Sequence, residues 1–359
     1  MEALIWVGFS QSLFSAIIMF TKKDRSLPDK ILSGWLVLLA IEFLACALNY
    51  KIFGNPVYSS SFLIFNPALY IYVSSLTRPN YKLRWIQLLH FLPFLLSEYY
   101  IYFIGQGFPM SSFFVRDEHF TFRLLFALTN VLSWSTYNPI SVYLIIKYRR
   151  RLQKEVSNIE KTESLGWILA LSIFYISYCS VVFVLYIFFA FLRIEPIVLH
   201  VFIYATLLVL IYMLSFYGLR QSVVSKQVEE SDDESEPYKY STLSAEAKQD
   251  IKEQIIKYFD KEKAYLLPDL NMDYLAKQLK IPKYQITEVL NTEIGKNFFQ
   301  FVNSYRVDAV KEMLAVPQLK YSIEAIGYEC GFSSKSSFYT VFKKITGETP
   351  VSYRKQLFL

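Results

Sequence analysis

Cysteine and histidine are scarce in this chain, three of each among 359 residues. Cys46, Cys179 and Cys330 are too few and too far apart for a disulfide framework or a zinc site. Cys46 and Cys179 fall in apolar runs, where a small packed thiol is the ordinary role. His90, His119 and His200 are too thin a supply for a metalloenzyme. Also missing are a nucleophile elbow, a phosphate-cradling glycine loop, a kinase signature and an HExxH pair. The expectation is a chain that is not an enzyme, with no catalytic residue, no metal and no cofactor.

Apolar side chains, by contrast, are in excess. The chain is 53% hydrophobic and 18% aromatic, with a mean hydropathy of +0.28. Almost all of that excess lies before Leu219, and the remainder has the composition of an ordinary charged domain. Two domains in two different solvents are the simplest account.

A membrane-spanning helix needs about 20 mostly apolar residues, because the hydrocarbon layer is roughly 30 Å thick. Seven segments approach that length: 3–20, 31–50, 61–76, 86–104, 124–147, 167–192 and 197–217. Backbone polar groups in lipid must be satisfied within their own segment, so an all-α bundle is expected over residues 1–219. The first segment lacks a basic start and ends in Thr21-Lys22-Lys23, which disfavours a cleaved signal peptide.

Lysine and arginine set the orientation, since they are retained on the cytoplasmic side. With the N-terminus outside, the inner loops hold 13 of them, in clusters at Lys22–Lys30, Arg78–Arg84 and Lys147–Lys161. The outer loops hold four: Lys51, Arg116, Arg123 and Arg193. Seven spans then put the C-terminus inside, in a multi-pass protein of the cytoplasmic (inner) membrane. Trp35, Trp85 and Trp167 fall near the cytoplasmic ends of their segments, as interfacial anchors would.

Ionisable groups inside lipid are costly and normally face the bundle interior. Glu42, His90, Glu98 and His200 are therefore candidates for intramembrane sensing. Hydrogen bonding between helices is the competing account of the same residues, and of Asn130, Asn66-Pro67 and Asn138-Pro139. The seventh segment contains no lysine, so it offers no retinal Schiff base.

Residues 220–243 form a boundary. Six acidic residues between Glu229 and Glu236, with Ser231, Ser235 and Pro237 nearby, cannot bury apolar area and should form a solvated, extended linker. It could also hold the following domain off an anionic lipid surface, or serve as a protease-accessible release point.

From Ser244 onward the pattern is amphipathic and helical, with 17 Lys/Arg against 14 Asp/Glu. Ile251, Ile255, Ile256 and Phe259 recur at helical spacing behind a Ser244 cap. Two short helices flank the connection Lys280-Ile281-Pro282-Lys283, which predicts a helix-turn-helix over 272–294 closed by Gly295. A long helix from Asn297 to about Ala315 follows, and then a second helix-turn-helix over 322–344 turns at Gly331. Such a domain, residues 244–359, would present two recognition helices about one DNA turn apart.

Here the chain resembles the AraC/XylS-type transcription regulators, over about Met272 to Lys355. The most specific stretch is Ile323-Glu324-Ala325-Ile326-Gly327-Tyr328-Glu329-Cys330-Gly331-Phe332. It continues through Ser337-Phe338-Tyr339, Phe342-Lys343-Lys344 and Gly347-Glu348-Thr349-Pro350 to Tyr353-Arg354. Gly295–Phe299 and Tyr305-Arg306 match the family's central helix, and Gly327 stands where the family more often has alanine. The first half is similar to a membrane-bound subgroup with an N-terminal seven-helix transmembrane region, through Asn66-Pro67-Ala68-Leu69-Tyr70 and His90-Phe91-Leu92-Pro93-Phe94. The resemblance implies a membrane-anchored, sequence-specific transcription regulator. Its expected partners are the major groove of double-stranded DNA, the lipid bilayer and RNA polymerase, with a homodimer and a small-molecule or protein signal left open.

Most residues of the signature read as scaffold. Ala325, Ile326, Phe332, Phe338, Val341 and Phe342 should fill the core, Gly331 supplies a backbone conformation that strains a side chain, and Arg306 reads as a structural ion-pair partner. Base contacts are expected early in each recognition helix: Lys335, Ser336 and Thr340 in the second, and Tyr284, Gln285, Thr287 and Glu288 in the first. Glu288 suits DNA only if it accepts from a cytosine amine, and is otherwise a solvated side chain. Phosphate contacts are expected from Lys283, Lys296, Lys343, Lys344 and Arg354. Two other readings remain open. One is a transporter or channel with a protein-binding helix-turn-helix tail, although no internal repeat is visible. The other is an inert anchor that releases its DNA-binding domain by proteolysis.

Overall fold

Backbone hydrogen bonding is satisfied almost wholly within helices. The computed structural model describes residues 2–23, 25–53, 60–105, 112–159, 164–194, 197–221, 243–316 and 320–357. The described residues are all-helical, with one isolated bridge between Val156 and Asn271 in place of any strand. The acidic run of the expected linker, and Lys161 of the third inner loop, lie outside the described residues. The chain divides into two units, Met1–Ile146 with Gly166–Val224, and Lys147–Leu165 with Ser225–Leu359.

The first unit contains α1 (Glu2–Thr21), α2 (Leu27–Phe53), α3 (Phe62–Thr77), α4 (Leu92–Tyr99), most of α5 (Phe120–Glu155), α6 (Gly166–Leu192) and α7 (Ile197–Arg220). Among the described residues four helices, α1, α2, α6 and α7, are long and apolar enough to cross a membrane, where seven segments were expected. The other three depart for separate reasons. At 16 residues, α3 reaches only about 24 Å. The expected span at 86–104 is a 3-10 segment (Trp85–Phe91), then α4 with Pro93 in its first turn, then a π-helical turn (Tyr100–Gly105). At 36 residues α5 is long enough, but Asn130, Ser133, Ser135, Thr136 and Asn138-Pro139 make its middle too polar.

Small residues allow close helix crossings here. A Cβ on Gly8 of α1 would lie 2.0 Å from the Phe43 ring of α2, so only glycine fits that contact. Met19, Leu32, Leu36, Phe43, Val182 and Ile211 are fully buried, whereas Phe14, Phe103, Phe191 and Val198 are exposed apolar side chains. Trp85 is exposed, whereas Trp35 is buried and tilted against Tyr72.

The second unit holds α8 (Ala245–Glu262), α9 (Met272–Leu279), α10 (Lys283–Thr292), α11 (Phe298–Leu314), α12 (Ile323–Glu329), α13 (Lys335–Thr346) and α14 (Pro350–Leu357). Polar side chains define where most of these helices begin. Ser244, Asn271, Asn297, Ser322 and Ser334 each accept a hydrogen bond from the backbone N–H three residues on. Asn297 and Gln300 form a reciprocal capping box at the start of α11. Lys280 at φ +55° ends α9, and Gly347 at φ +87° ends α13.

Two hydrophobic cores share α11. The first gathers Ile255, Phe259, Leu275, Ile286 and Val289 around Phe301 and Val302. The second begins at Val307 and joins Val310 and Leu314 to Ile326, Phe332, Phe338 and Phe342. Of the expected core residues of the second motif, Ala325 alone is only half-buried; the rest are buried. Between the two cores α11 carries two buried polar residues, Asn303 and Arg306.

Candidate nucleic-acid interface

Each of the two helix-turn-helix motifs has a short first helix, a tight turn and a longer second helix. In the first, Lys280-Ile281-Pro282 joins α9 to α10; in the second, the turn from Cys330 to Ser334 joins α12 to α13. Gly331 in that second turn sits at φ +87°, and a Cβ there would lie 2.3 Å from the Tyr265 carbonyl oxygen. Backbone therefore approaches backbone where a side chain has no room.

On α13, Lys335 and Thr340 are exposed and Ser336 is half-buried. The Lys335 ammonium donates to the Glu324 carboxylate on α12 and lies 5.8 Å from the Tyr339 ring centre. That hydrogen bond raises the Lys335 pKa above its ordinary value. Lys343 and Lys344 are exposed in the last turn of α13. Arg354 is half-buried on α14.

On α10, Tyr284 is exposed, while Gln285 and Thr287 are half-buried. Gln285 donates to the Tyr284 hydroxyl at 3.3 Å. Glu288 departs from both expectations, since it is neither solvated nor facing a groove. It is 3% exposed and ion-paired at 2.7 Å with Lys248 of α8. Burial beside that ammonium leaves it no open face for a base. Lys283 is ion-paired with Asp273 at 2.5 Å and reaches Glu155 at 3.8 Å. Lys296 donates to the Ser304 hydroxyl at 3.0 Å.

Arg306 is fully buried, as a structural role requires, but its hydrogen bonds end on oxygens of backbone and serine rather than on a carboxylate. Nε donates to the Tyr265 carbonyl at 2.7 Å and Nη2 to that of Leu267 at 2.8 Å. Ser157 takes the rest, its carbonyl from Nη1 at 3.1 Å and its hydroxyl from Nη2 at 3.0 Å. Burial lowers the Arg306 pKa from its usual value, and these oxygens stabilise the cation against that.

The four intramembrane candidates have different neighbours. Glu42 is buried and accepts from the Tyr204 hydroxyl at 3.2 Å. His90 shares a 2.7 Å hydrogen bond between Nδ1 and the Tyr137 hydroxyl. Glu98 accepts from the Ser60 hydroxyl, and the buried His200 stands edge-on to Tyr186. Asn66 and Asn138, each followed by a proline inside its helix, hydrogen-bond to one another at 3.1 Å. Among the described residues no cluster of His, Cys, Asp and Glu could hold a metal ion.

Sequence reasoning missed Ser157, Asn158 and Asn303, whose hydrogen bonds cross more than 100 residues of chain. It also missed Glu324 as the partner of Lys335. An acidic residue on the first helix of the motif was visible, but the turn geometry that brings the two together was not.

Residues 275–356 match the family described as a helix-turn-helix domain, a stretch that takes in the first motif from Leu275 onward and all of the second. The chain is 29% identical over 102 residues to the regulatory protein PocR of Salmonella typhimurium, covering 28% of this chain and 32% of that protein. It is 28% identical over 88 residues to an uncharacterized HTH-type transcriptional regulator, YtdP, of Bacillus subtilis, covering 24% of this chain and 11% of the relative. A solved structure of a protein of unknown function from Listeria innocua is 30% identical, with a TM-score of 0.27, covering 29% of this chain and 95% of the other. The chain thus spans about a tenth and a third of the length of these two curated relatives. Its second unit carries a helix-turn-helix domain of AraC type.

Proposed function

We propose that this protein is a membrane-anchored transcription regulator whose second unit binds specific double-stranded DNA through α10 and α13. The observation that carries this reading is the pair of capped helix-turn-helix motifs built on one shared helix, α11, within the matched domain. Lys335, Ser336 and Thr340 on α13, and Tyr284, Gln285 and Thr287 on α10, are the proposed base contacts. Lys283, Lys296, Lys343, Lys344 and Arg354 are the proposed phosphate contacts, which fix position and carry no sequence information. The first unit supplies the anchor or sensor. Its proposed seven spans are α1, α2, α3, the three-piece fourth segment, α5, α6 and α7, with the N-terminus outside. Glu42, His90, Glu98 and His200 are the proposed polar sites within it. The four long apolar helices and the thirteen-to-four distribution of basic residues support that arrangement.

The test is genome-wide mapping of DNA crosslinked to the intact protein in its host, followed by titration of the recovered sites. Discrete sites holding two half-sites about 10–10.5 bp apart are expected. Replacing Lys344 by Ala should weaken binding to every sequence alike and reduce the salt slope by about one. Crosslinks no more enriched than those of a variant lacking residues 244–359 would refute the reading.

A further inference from the structure

The second unit is not made only from the C-terminal part of the chain. Lys147–Leu165, which includes the end of α5, belongs to it as well. Just past that helix the chain enters the junction between the two helix-turn-helix motifs, where Ser157 and the Asn158 amide nitrogen make a set of hydrogen bonds. Ser157 N–H and hydroxyl both donate to the Leu270 carbonyl, the hydroxyl at 2.6 Å. The Ser157 carbonyl accepts from Asn303 Nδ2 at 2.8 Å and from Arg306 Nη1 at 3.1 Å. Asn158 Nδ2 donates to the Pro268 carbonyl at 2.8 Å and to the Gly331 carbonyl at 2.9 Å. Pro268 lies in the segment leading into the first motif and Gly331 is the turn of the second, so one side-chain amide ties that leading segment to the second motif.

The junction is built for an occupant. Arg306 is a fully buried cation whose four hydrogen bonds end on neutral oxygens, two of them on Ser157. Asn303, 1% exposed, aims its amide at the same carbonyl. Removing Ser157 would leave those donors buried and short of acceptors, which is costly for a neutral group and more so for a charged one. No apolar segment could replace it, because the junction needs a carbonyl and a hydroxyl at fixed positions.

We propose that the junction between the two motifs is a peptide-docking site whose ligand is this chain's own Val156–Asn158, and that docking fixes the two recognition helices in their DNA-binding relationship. Through α5, which begins in the first unit and ends in the second, any displacement at the membrane would loosen or tighten that lock. The regulatory half of this inference rests on the DNA-binding reading above; the docking half does not.

The experiment uses the full chain in lipid nanodiscs, with Cys46 and Cys179 replaced by Ala so that Cys330 is the single thiol. Cys330 is 1% exposed and adjoins Gly331, so its alkylation rate reports opening of the junction. Asn158→Ala and Ser157→Ala should raise that rate about tenfold, the factor that corresponds to about 1.4 kcal/mol at 25 °C. Ser157→Thr, which keeps the hydroxyl, and Lys154→Ala, exposed on the preceding helix, should leave it unchanged. Unchanged circular dichroism keeps simple unfolding apart from undocking. In DNA titrations the two Ala variants should bind more weakly by a similar factor with an unaltered salt slope, since neither residue is a proposed phosphate contact. An alkylation rate that stays at the parent level in both variants overturns the docking site. Raised alkylation with unchanged DNA affinity overturns the coupling. A parent chain that binds no DNA would defeat the functional reading, while the alkylation rates would still decide the docking.

Discussion

Lys335 at the start of α13 is hydrogen-bonded to Glu324 on α12, across the turn of the second motif. The carboxylate raises the lysine's pKa, so its positive charge persists throughout the physiological range. It also occupies the ammonium that would donate to a base. Both side chains are well exposed, and such pairs are weak individually, so the hold is one that DNA can displace. Glu324→Gln should therefore tighten binding by up to about fivefold by freeing the donor and removing a negative charge near the phosphates. Lys335→Ala should weaken the preferred site by roughly tenfold and relax preference at one base pair. Titrations of each variant against preferred and scrambled DNA check both outcomes. Equal weakening on the two DNAs by Lys335→Ala would make it a phosphate contact instead.

The helices of the second unit were legible because local chemistry marks them. Asn297, Ser322 and Ser334 announce helix starts, and Gly295 and Gly331 announce turns that need positive φ. Burial of Glu288 was not legible, because its partner Lys248 lies 40 positions earlier on another helix and α10's own periodicity carries no trace of it. The docking of Ser157 was hidden for the same reason. Its partners, Leu270, Asn303 and Arg306, lie 113 to 149 residues away. In the first unit, averaged hydropathy located the apolar segments but could not register the change of helix type around Pro93. Periodicity is a local signal, and each miss involves a contact or a break that an average over a window does not see.

Gly331 and Gly347 share a φ of +87° and differ in their surroundings, which allows backbone strain to be separated from close approach. A Cβ on Gly347 meets nothing within 4 Å, so Gly347→Ala should cost about 1–2 kcal/mol from the left-handed conformation alone. A Cβ on Gly331 meets the Tyr265 carbonyl at 2.3 Å and Arg306 Nε at 3.0 Å. Gly331→Ala should add to the same strain a displacement of buried backbone, for a total of about 3 kcal/mol or more. Thermal melts of the two variants compare them directly. Equal losses would mean that the junction is softer than its geometry indicates.

Burial pushes the Cys330 thiol up to about 12. An unfolded cysteine titrates near 8.5, so the folded state holds its proton more tightly than the unfolded state does. This contribution to stability is fully present below about pH 8.5 and is lost as pH rises from there toward 12. Relative to a Cys330→Ala variant, the wild-type folded-to-unfolded ratio should fall by up to about tenfold per pH unit across that window. Denaturant titrations between pH 7 and 11 measure the difference between the two proteins, which cancels the lysines and tyrosines they share. A difference that does not change with pH would mean that the thiol is hydrated in the folded state.

The fourth segment decides the topology of the whole chain. As a 3-10 piece, a short α-helix and a π-turn over Trp85–Gly105, it is the weakest of the seven proposed spans. If it crosses, Arg84 and Arg116 lie on opposite sides; if it lies along the interface, they share a side and six spans place both termini together. Basic residues separate the two cases. With seven spans the outer loops hold four Lys/Arg, whereas moving Arg116 and Arg123 inside would require the following inner cluster, Lys147 to Arg151, to face outward. That cluster is the densest in the chain, so crossing is the favoured outcome. Alkaline phosphatase fused after Arg116 should be active, and after Arg84 or Arg220 inactive, with fluorescent-protein fusions giving the converse. Activity after Arg220 would put the helix-turn-helix domain on the side of the membrane away from DNA, and no arrangement of its recognition helices could then make it a regulator.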